Sequence, residues 1–305
     1  MNQSQTNPEA APVAPILRFS DVLGELRADA DANHAARTSG TLRGPITGLS
    51  RLDKEISHAL APGLHGIYGN AGAGKTALAL QITTSCGFPA LYVTCEMAPS
   101  ELLRRHTARA TQTFLGRLKS GELSGESVEA LARRAMGAAP DVALLDATQA
   151  PANPFRVAEC ARIVKRESAH VLIVIDSLQS WAEMMAPNGA GEYETLNAGI
   201  LALRKLAHEI KCPVLFLSER NRKGNEKSSG GLNSGAGTRK IEYATETVFD
   251  LDRDMEAQAN GAGEYSIKLK IAKNRHGSVG TEIPLLFNGA LQQFREEENA
   301  KRGAR

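Results

Sequence analysis

Eight consecutive residues, Gly69-Asn70-Ala71-Gly72-Ala73-Gly74-Lys75-Thr76, have the types and the spacing to hold a chain of phosphates. Glycines at its first and sixth positions let the backbone turn sharply, so that successive N–H groups point inward at phosphate oxygens. Lys75 can set a compact positive charge on the β- and γ-phosphates, and the Thr76 hydroxyl suits a magnesium ion that bridges them. The ligand such a pattern calls for is ATP with Mg2+. Its surroundings are in the required order. Leu64 to Tyr68 reads as a short buried strand, and TALALQITT after the loop reads as a helix whose positive end favours the same anion.

Two acids can complete the chemistry. Asp176 ends the apolar run Val171 to Ile175, and a strand end places a carboxylate beside the loop, where it can hold the water shell of magnesium. Glu96 stands just past the strand Ala90 to Thr94 that follows the loop helix. A carboxylate there can orient or deprotonate an attacking water, which points to hydrolysis; the plainer reading is a solvated loop glutamate.

Basic groups gather in two places. Glu219 follows the buried strand Pro213 to Leu217, and a glycine-rich loop from there to about residue 240 carries Arg220, Arg222, Lys223, Lys227, Arg239 and Lys240 against Glu226. Such a loop either follows a nucleic-acid backbone with little sequence preference or is an ordinary solvated loop. The stretch from Glu183 to Glu192 holds Gly189 and Gly191 but no basic residue, and reads only as a mobile loop. Lys273 and Arg275, two apart at a strand end, project to the same side. Composition alone makes this a basic turn. An arginine so placed can also act as a finger on the γ-phosphate bound by a neighbouring subunit.

These residues need a scaffold, and the hydrophobic pattern supplies one. Strands at 64–68, 90–94, 142–145, 171–175 and 213–217 alternate with helical segments, including one opened by Asn153 and Pro154 and one on Leu196, Ile200, Leu203, Leu206 and Ile210. That order predicts an α/β fold with a mainly parallel central sheet flanked by helices. Thr247 to Leu251, Ser266 to Ile271 and Ile283 to Phe287 read as strands that extend the sheet in antiparallel fashion, and the charged tail after Gln293 as mobile. Residues 1–44 read as a flexible extension with one short amphipathic helix on Phe19, Val22, Leu23 and Leu26. Ser20 is its expected N-cap, and a polar linker runs from 31 to 44. That helix must pack on its own domain or on a neighbouring subunit. Residues 45–295 form the expected ATPase domain and 296–305 a charged tail.

Composition excludes little more. A chain of 305 residues with 42% hydrophobic residues can bury a full core, and a net charge of +2 does not choose a partner. The sequence has no apolar run of about 18 residues and opens on no signal-peptide pattern, so a soluble, cytoplasmic protein is expected. Cys86, Cys95, Cys160 and Cys212 form no C-x-x-C pair and read as core thiols rather than a zinc module.

From Ile46 to Phe294 the sequence resembles the C-terminal motor domain of DnaB-family replicative helicases, hexameric RecA-like ATPases of helicase superfamily 4. ITGLSRLD resembles that family's approach to its core, GNAGAGKTALALQI its phosphate loop, TCEMAPSELLRR its S-L-E-M segment, and VLIVIDSLQS the strand with the magnesium aspartate. LKSGELS and ARIVKRES resemble segments between them. IAKNRHGSVGTEIPLLFNGALQQF resembles its closing segment. The resemblance implies that Glu96 is the catalytic glutamate, that Lys273 and Arg275 reach the adjacent subunit's nucleotide, and that the first helix docks on the next subunit. It further implies that the loops near 183–192 and 222–240 face a channel holding single-stranded DNA, with 5'-3' movement in replication and a loader or primase as partner.

Three features depart from the family. Its N-terminal helical domain, used for ring assembly and primase contact, is expected to be missing, Glu219 stands where it usually has glutamine as a sensor, and the second channel loop is longer and richer in glycine. KNRHG and IDSLQ are also similar to motifs of RadA/Sms branch-migration ATPases, without that family's zinc module and protease-like domain. A RecA-like switch that acts on a protein partner is the remaining alternative.

Overall fold

Side-chain alternation along apolar strands sets up two hydrophobic layers. In one strand Leu172 and Val174 enter one core while Ile173 and Ile175 enter the other; in a second, Leu215 and Leu217 face the first core and Val214 and Phe216 the other. A sheet buried on both faces follows. The computed structural model describes residues 16–220, 243–254 and 256–297. The segment 1–15, the tail 298–305 and the loop residues Arg222, Lys223, Lys227, Arg239 and Lys240 lie outside the described residues.

In chain order the strands are β1 (Gly63–Gly69), β2 (Ala90–Thr94), β3 (Val142–Asp146), β4 (Leu172–Asp176), β5 (Pro213–Glu219), β6 (Thr247–Arg253), β7 (Glu264–Asn274), β8 (Glu282–Asn288) and β9 (Gln293–Glu296). The helices are α1 (Phe19–Ser39), α2 (Ser50–Glu55), α3 (Lys75–Thr83), α4 (Pro99–Thr111), α5 (Gly125–Gly137), α6 (Pro154–Lys165), α7 (Leu178–Glu183) and α8 (Glu192–Ile210). Their strands form one sheet in the order β3-β2-β4-β5-β1-β6-β7-β8-β9. All pairings from β3 to β6 are parallel, and those from β6 to β9 antiparallel. β1 therefore lies inside the sheet with the phosphate loop leaving its carboxyl end, the place where open α/β sheets bind ligands. The core on the α2, α3 and α4 side includes Leu52, Leu78, Ile82 and Leu102; the other includes Val157, Trp181, Leu203 and Leu206.

Three expectations need correction. Thr247 to Leu251 extends the sheet in parallel with β1, so the antiparallel part begins only at β7. A parallel pairing needs a connection of a dozen or more residues, and Glu219 and Thr247 are further apart than that in the sequence. Residues 294–297 are not a loose tail: Phe294 is buried and stacks on Phe287 (4.4 Å, 25°), and Gln81 exchanges two hydrogen bonds with the Phe294 backbone. Glu296 accepts hydrogen bonds from the N–H groups of Arg51 and Leu52 at the start of α2.

The first helix is the third correction. The chain divides into two units, up to Arg43 and from Gly44 onward. In the first, α1 runs to Ser39 through most of the expected linker and ends on Gly40 in the left-handed region. Its N-cap is Arg18, whose N–H donates to Asp21 Oδ2 (2.8 Å), and Ser20 lies inside the helix. None of its residues is buried, and Phe19, Leu23 and Leu26 are exposed. No helix among the described residues is long and apolar enough to cross a membrane.

Candidate active site

The phosphate loop turns between β1 and α3 on backbone conformations that only glycine adopts without strain. Gly72 has φ +77° and Gly74 φ +93°, and Gly74 caps α3. A Cβ on Gly74 would meet the Phe294 ring at 2.8 Å. Lys75 folds back over the loop, its Nζ donating to the carbonyls of Gly69 (2.9 Å) and Asn70 (3.1 Å). Arg253 at the end of β6 braces the far side by donating to the Gly72 carbonyl (3.0 Å) while its guanidinium lies 4.0 Å over the Tyr265 ring.

Strand register delivers the acids. β2 and β4 are neighbours with Thr94 opposite Asp176, so the turn after β2 begins beside the Asp176 carboxylate. Tyr92, buried beneath, donates its hydroxyl to Asp176 Oδ2 (2.7 Å), and the Thr76 hydroxyl lies near enough to favour the Asp176 carboxylate. Glu96 is held in that turn, where the Cys95 N–H bonds the Asp176 carbonyl (2.8 Å) and Thr94 Oγ1 donates to the Met97 carbonyl (2.5 Å). Its Oε1 accepts hydrogen bonds from Ser177 and Ser180, both 2.6 Å. Glu219 ends β5 directly opposite Gly69 of β1.

Burial and neighbouring charges together set the electrostatics of this cluster. Burial pushes the Lys75 ammonium below its ordinary value, opposed by the charges of Glu219, Asp176 and Glu96. Burial also raises the Asp176 carboxyl, against the hydroxyl donors Tyr92 and Thr76, and the neighbouring Glu96 charge adds to the rise. Both shifts favour neutral forms in a partly dry site, and phosphate and a divalent cation supply the charges that reverse them. Thr76 and Asp176 offer hard oxygen ligands on the same side of the loop, which fits magnesium. Among the described residues no group of three or more His, Cys, Asp or Glu is placed to hold a metal. A cation held by Thr76 and Asp176 would take its other ligands from phosphate oxygens and water. Burial pushes the Cys86 thiol to about 11 and those of Cys95 and Cys212 to about 12, too high for thiolate chemistry.

Of the other candidates, Arg220 borders this cluster, while Lys273 and Arg275 lie apart from it. Arg220, next after β5, bonds Asp250 (2.6 Å) and Asp252 (3.4 Å) on β6, and so spans the end of β1 between those strands. Lys273 donates to the Thr245 carbonyl (2.6 Å), while Arg275 donates to the Tyr243 carbonyl (2.6 Å) and approaches Glu246 (3.4 Å). The site thus gathers Lys75, Thr76, Glu96, Asp176 and Glu219 and leaves Lys273 and Arg275 elsewhere. Tyr92, Ser177, Ser180 and Arg253 were missed by sequence reasoning. Only the serines carried a signal, standing one and four residues after the strand-end aspartate.

The model of the DnaB-like helicase C terminal domain matches residues 44–296, with the phosphate loop, Asp176 and the closing β7–β9 segment inside the match. The chain belongs to that family. The replicative DNA helicase DnaB of Geobacillus stearothermophilus is 28% identical over 268 residues, covering 84% of this chain and 57% of that protein. The one from Buchnera aphidicola subsp. Acyrthosiphon pisum is 25% identical over 268 residues, covering 81% and 55%. The chain thus spans about half the length of the curated relatives it matches. The ATPase domain of G40P superposes with a TM-score of 0.75 at 19% identity, over 92% of this chain and all of that one. A DnaB-like replicative helicase studied for its interactions with primase gives 0.74 at 18%, over 93% and 68%. These likenesses establish the RecA-like helicase-domain fold.

Proposed function

We propose that this chain hydrolyses ATP with Mg2+ at the interface between copies of itself, in a ring of about six, and uses the energy to move along single-stranded DNA in replication. In this reading the loop from Gly69 through Asn70, Ala71, Gly72, Ala73 and Gly74 to Lys75 cradles the phosphates. Thr76 and Asp176 hold magnesium, Glu96 takes the proton of the attacking water, and Glu219 senses the γ-phosphate. Lys273 and Arg275 act on the nucleotide of the neighbouring copy. When bound, the cation neutralises charge that develops on the transferring phosphoryl group.

One observation carries the reading: the two halves of the chemistry lie at opposite ends of the sheet. The Arg275 N–H donates to the Glu246 carbonyl, whose own N–H bonds Leu64 at the start of β1. The phosphate loop begins at Gly69, five residues on, or about 16 Å along the strand. Lys273 stands opposite Val248 on β6, and Val248 opposite Gly66, about 10 Å short of the loop. Charges so far from their own site fit a site completed by a second copy. The exposed Phe19, Leu23 and Leu26 of α1 fit the same assembly, as a face for the next copy to cover.

Single-stranded DNA is the proposed track, moved in the 5'-3' direction, with Arg220, Arg222, Lys223, Lys227, Arg239 and Lys240 as its contacts. A loader or primase is the proposed protein partner, and the cytoplasm the proposed location. Support comes from the origin of the two channel-loop candidates, the segment after α7 and the one after β5. The segment after β5 starts from Glu219, opposite Gly69, and the segment after α7 follows a short helix that begins beside Asp176. Steady-state ATP hydrolysis with and without single-stranded DNA at low salt tests this, because phosphate contacts weaken steeply as salt rises. Strong stimulation is expected. Appreciable turnover that DNA leaves unchanged would contradict the motor and favour a switch acting on a protein.

A further inference from the structure

The first turn of α7 spends its side chains on the active site. Each serine hydroxyl has one proton, and those of Ser177 and Ser180 both lie 2.6 Å from the same oxygen, Glu96 Oε1. Their own oxygens are 3.1 Å apart, so a single carboxylate oxygen sits in a two-pronged fork. Glu96 is otherwise an exposed side chain in a turn, with rotamer freedom to lose. The fork itself is fixed. Trp181, fully buried, donates its indole N–H to the Ala152 carbonyl (2.7 Å), and Gln179 donates to Ser218 Oγ (2.8 Å), next to Glu219. A helix of six residues is thus pinned on both sides while it grips the carboxylate between the nucleotide site and the segment 184–191.

We propose that Ser177 and Ser180 are positioning residues for water activation, holding Glu96 by one oxygen so that the other, Oε2, meets the attacking water. The inference rests on the reading of Glu96 as the base. In the step, a water proton passes to Oε2 as the water oxygen bonds the γ-phosphorus, and the β–γ bridging oxygen leaves with ADP. The serines keep their protons. Their contribution is geometric, and small misplacements of a catalytic group cost large factors in rate. Because α7 also carries Gln179, movement at the end of β5 or in the segment after α7 would shift the fork and so set the rate.

Ser180 gives the cleaner test. Ser177 also caps α7 by accepting from the Ser180 N–H (3.4 Å), whereas Ser180→Ala keeps that cap and places a good helix former. In steady-state ATP hydrolysis by the full chain, Ser180→Ala is expected to lower kcat by about tenfold with KM and thermal midpoint unchanged. Ser180→Thr, which retains a hydroxyl, is expected to recover most of the rate. A Ser180→Ala kcat within about twofold of wild type, or equal losses in the Ala and Thr variants, would overturn the proposal. Glu96→Gln separates the two layers of inference. If it turns over like wild type, the reading of Glu96 as base falls and the fork with it; if it is inactive while Ser180→Ala is at full rate, only the fork falls.

Discussion

His65 shows at the scale of one residue how the strand beneath the phosphate loop is held. It is fully buried in β1, Nε2 donating to the Ala61 carbonyl (2.7 Å) and Nδ1 accepting from the Thr247 hydroxyl (2.7 Å). Ala61 can only accept there, which fixes the neutral tautomer. Burial lowers its pKa from 6.5 to about 4. The unfolded chain takes up a proton below about 6.5 while the folded chain refuses it until about 4, so stability falls as pH drops through that window. The loss amounts to about 3 kcal/mol. Urea unfolding at pH 7 and pH 4 is expected to show that drop in excess of the decline in His65→Gln, whose amide can still donate and accept. Parallel declines would contradict the assignment. Lys75, Thr76, Asp176 and Glu96 could be read before the fold because each is tied to a local signal, a glycine loop or a strand end. Arg253 and Tyr92 could not, since they reach the site from strands whose place in the sheet is set by register rather than by any local pattern.

At the scale of the element, the turn from β1 into α3 has the least tolerance. Gly74 combines a left-handed φ with a Cβ position 2.8 Å from Phe294, whose ring is pinned against Phe287. Gly74→Ala is expected to weaken nucleotide binding at least tenfold and to lower the thermal midpoint, measured by titration with a fluorescent ATP analogue and by melting. Wild-type affinity would show that the loop tolerates another conformation. The parallel core of the sheet was legible because apolar runs alternate with helical periods. The direction of β6 was not, since Val248, Phe249 and Leu251 bury equally well either way and a distant connection decides. β9 is four residues with charges at 295–297, and only Phe294, packed beneath the loop, gives it away. α7 has only six residues, and its Trp181 anchor and serine fork depend on elements far away in sequence.

At the scale of the molecule, one sheet separates two sets of chemical groups. Its carboxyl end holds the phosphate loop, Asp176, Glu96 and Glu219, and the opposite end of β1 lies level with Arg275. In the proposed assembly a single copy supplies half of each of two sites. The mainly parallel α/β architecture was legible from the alternation of elements, and its RecA-like character from the resemblance of the motifs, whereas the distance between Arg275 and its own loop appears only once β6 and β7 are paired. The most direct test mixes two inactive variants, Lys75→Ala, which keeps the finger, and Arg275→Ala, which keeps the loop. Each alone is expected to hydrolyse almost no ATP, while an equal mixture regains about a quarter of wild-type turnover, the share of interfaces that pair an intact loop with an intact finger. Full activity of Arg275→Ala alone, or a co-assembled mixture no more active than its components, would contradict a nucleotide site shared between copies.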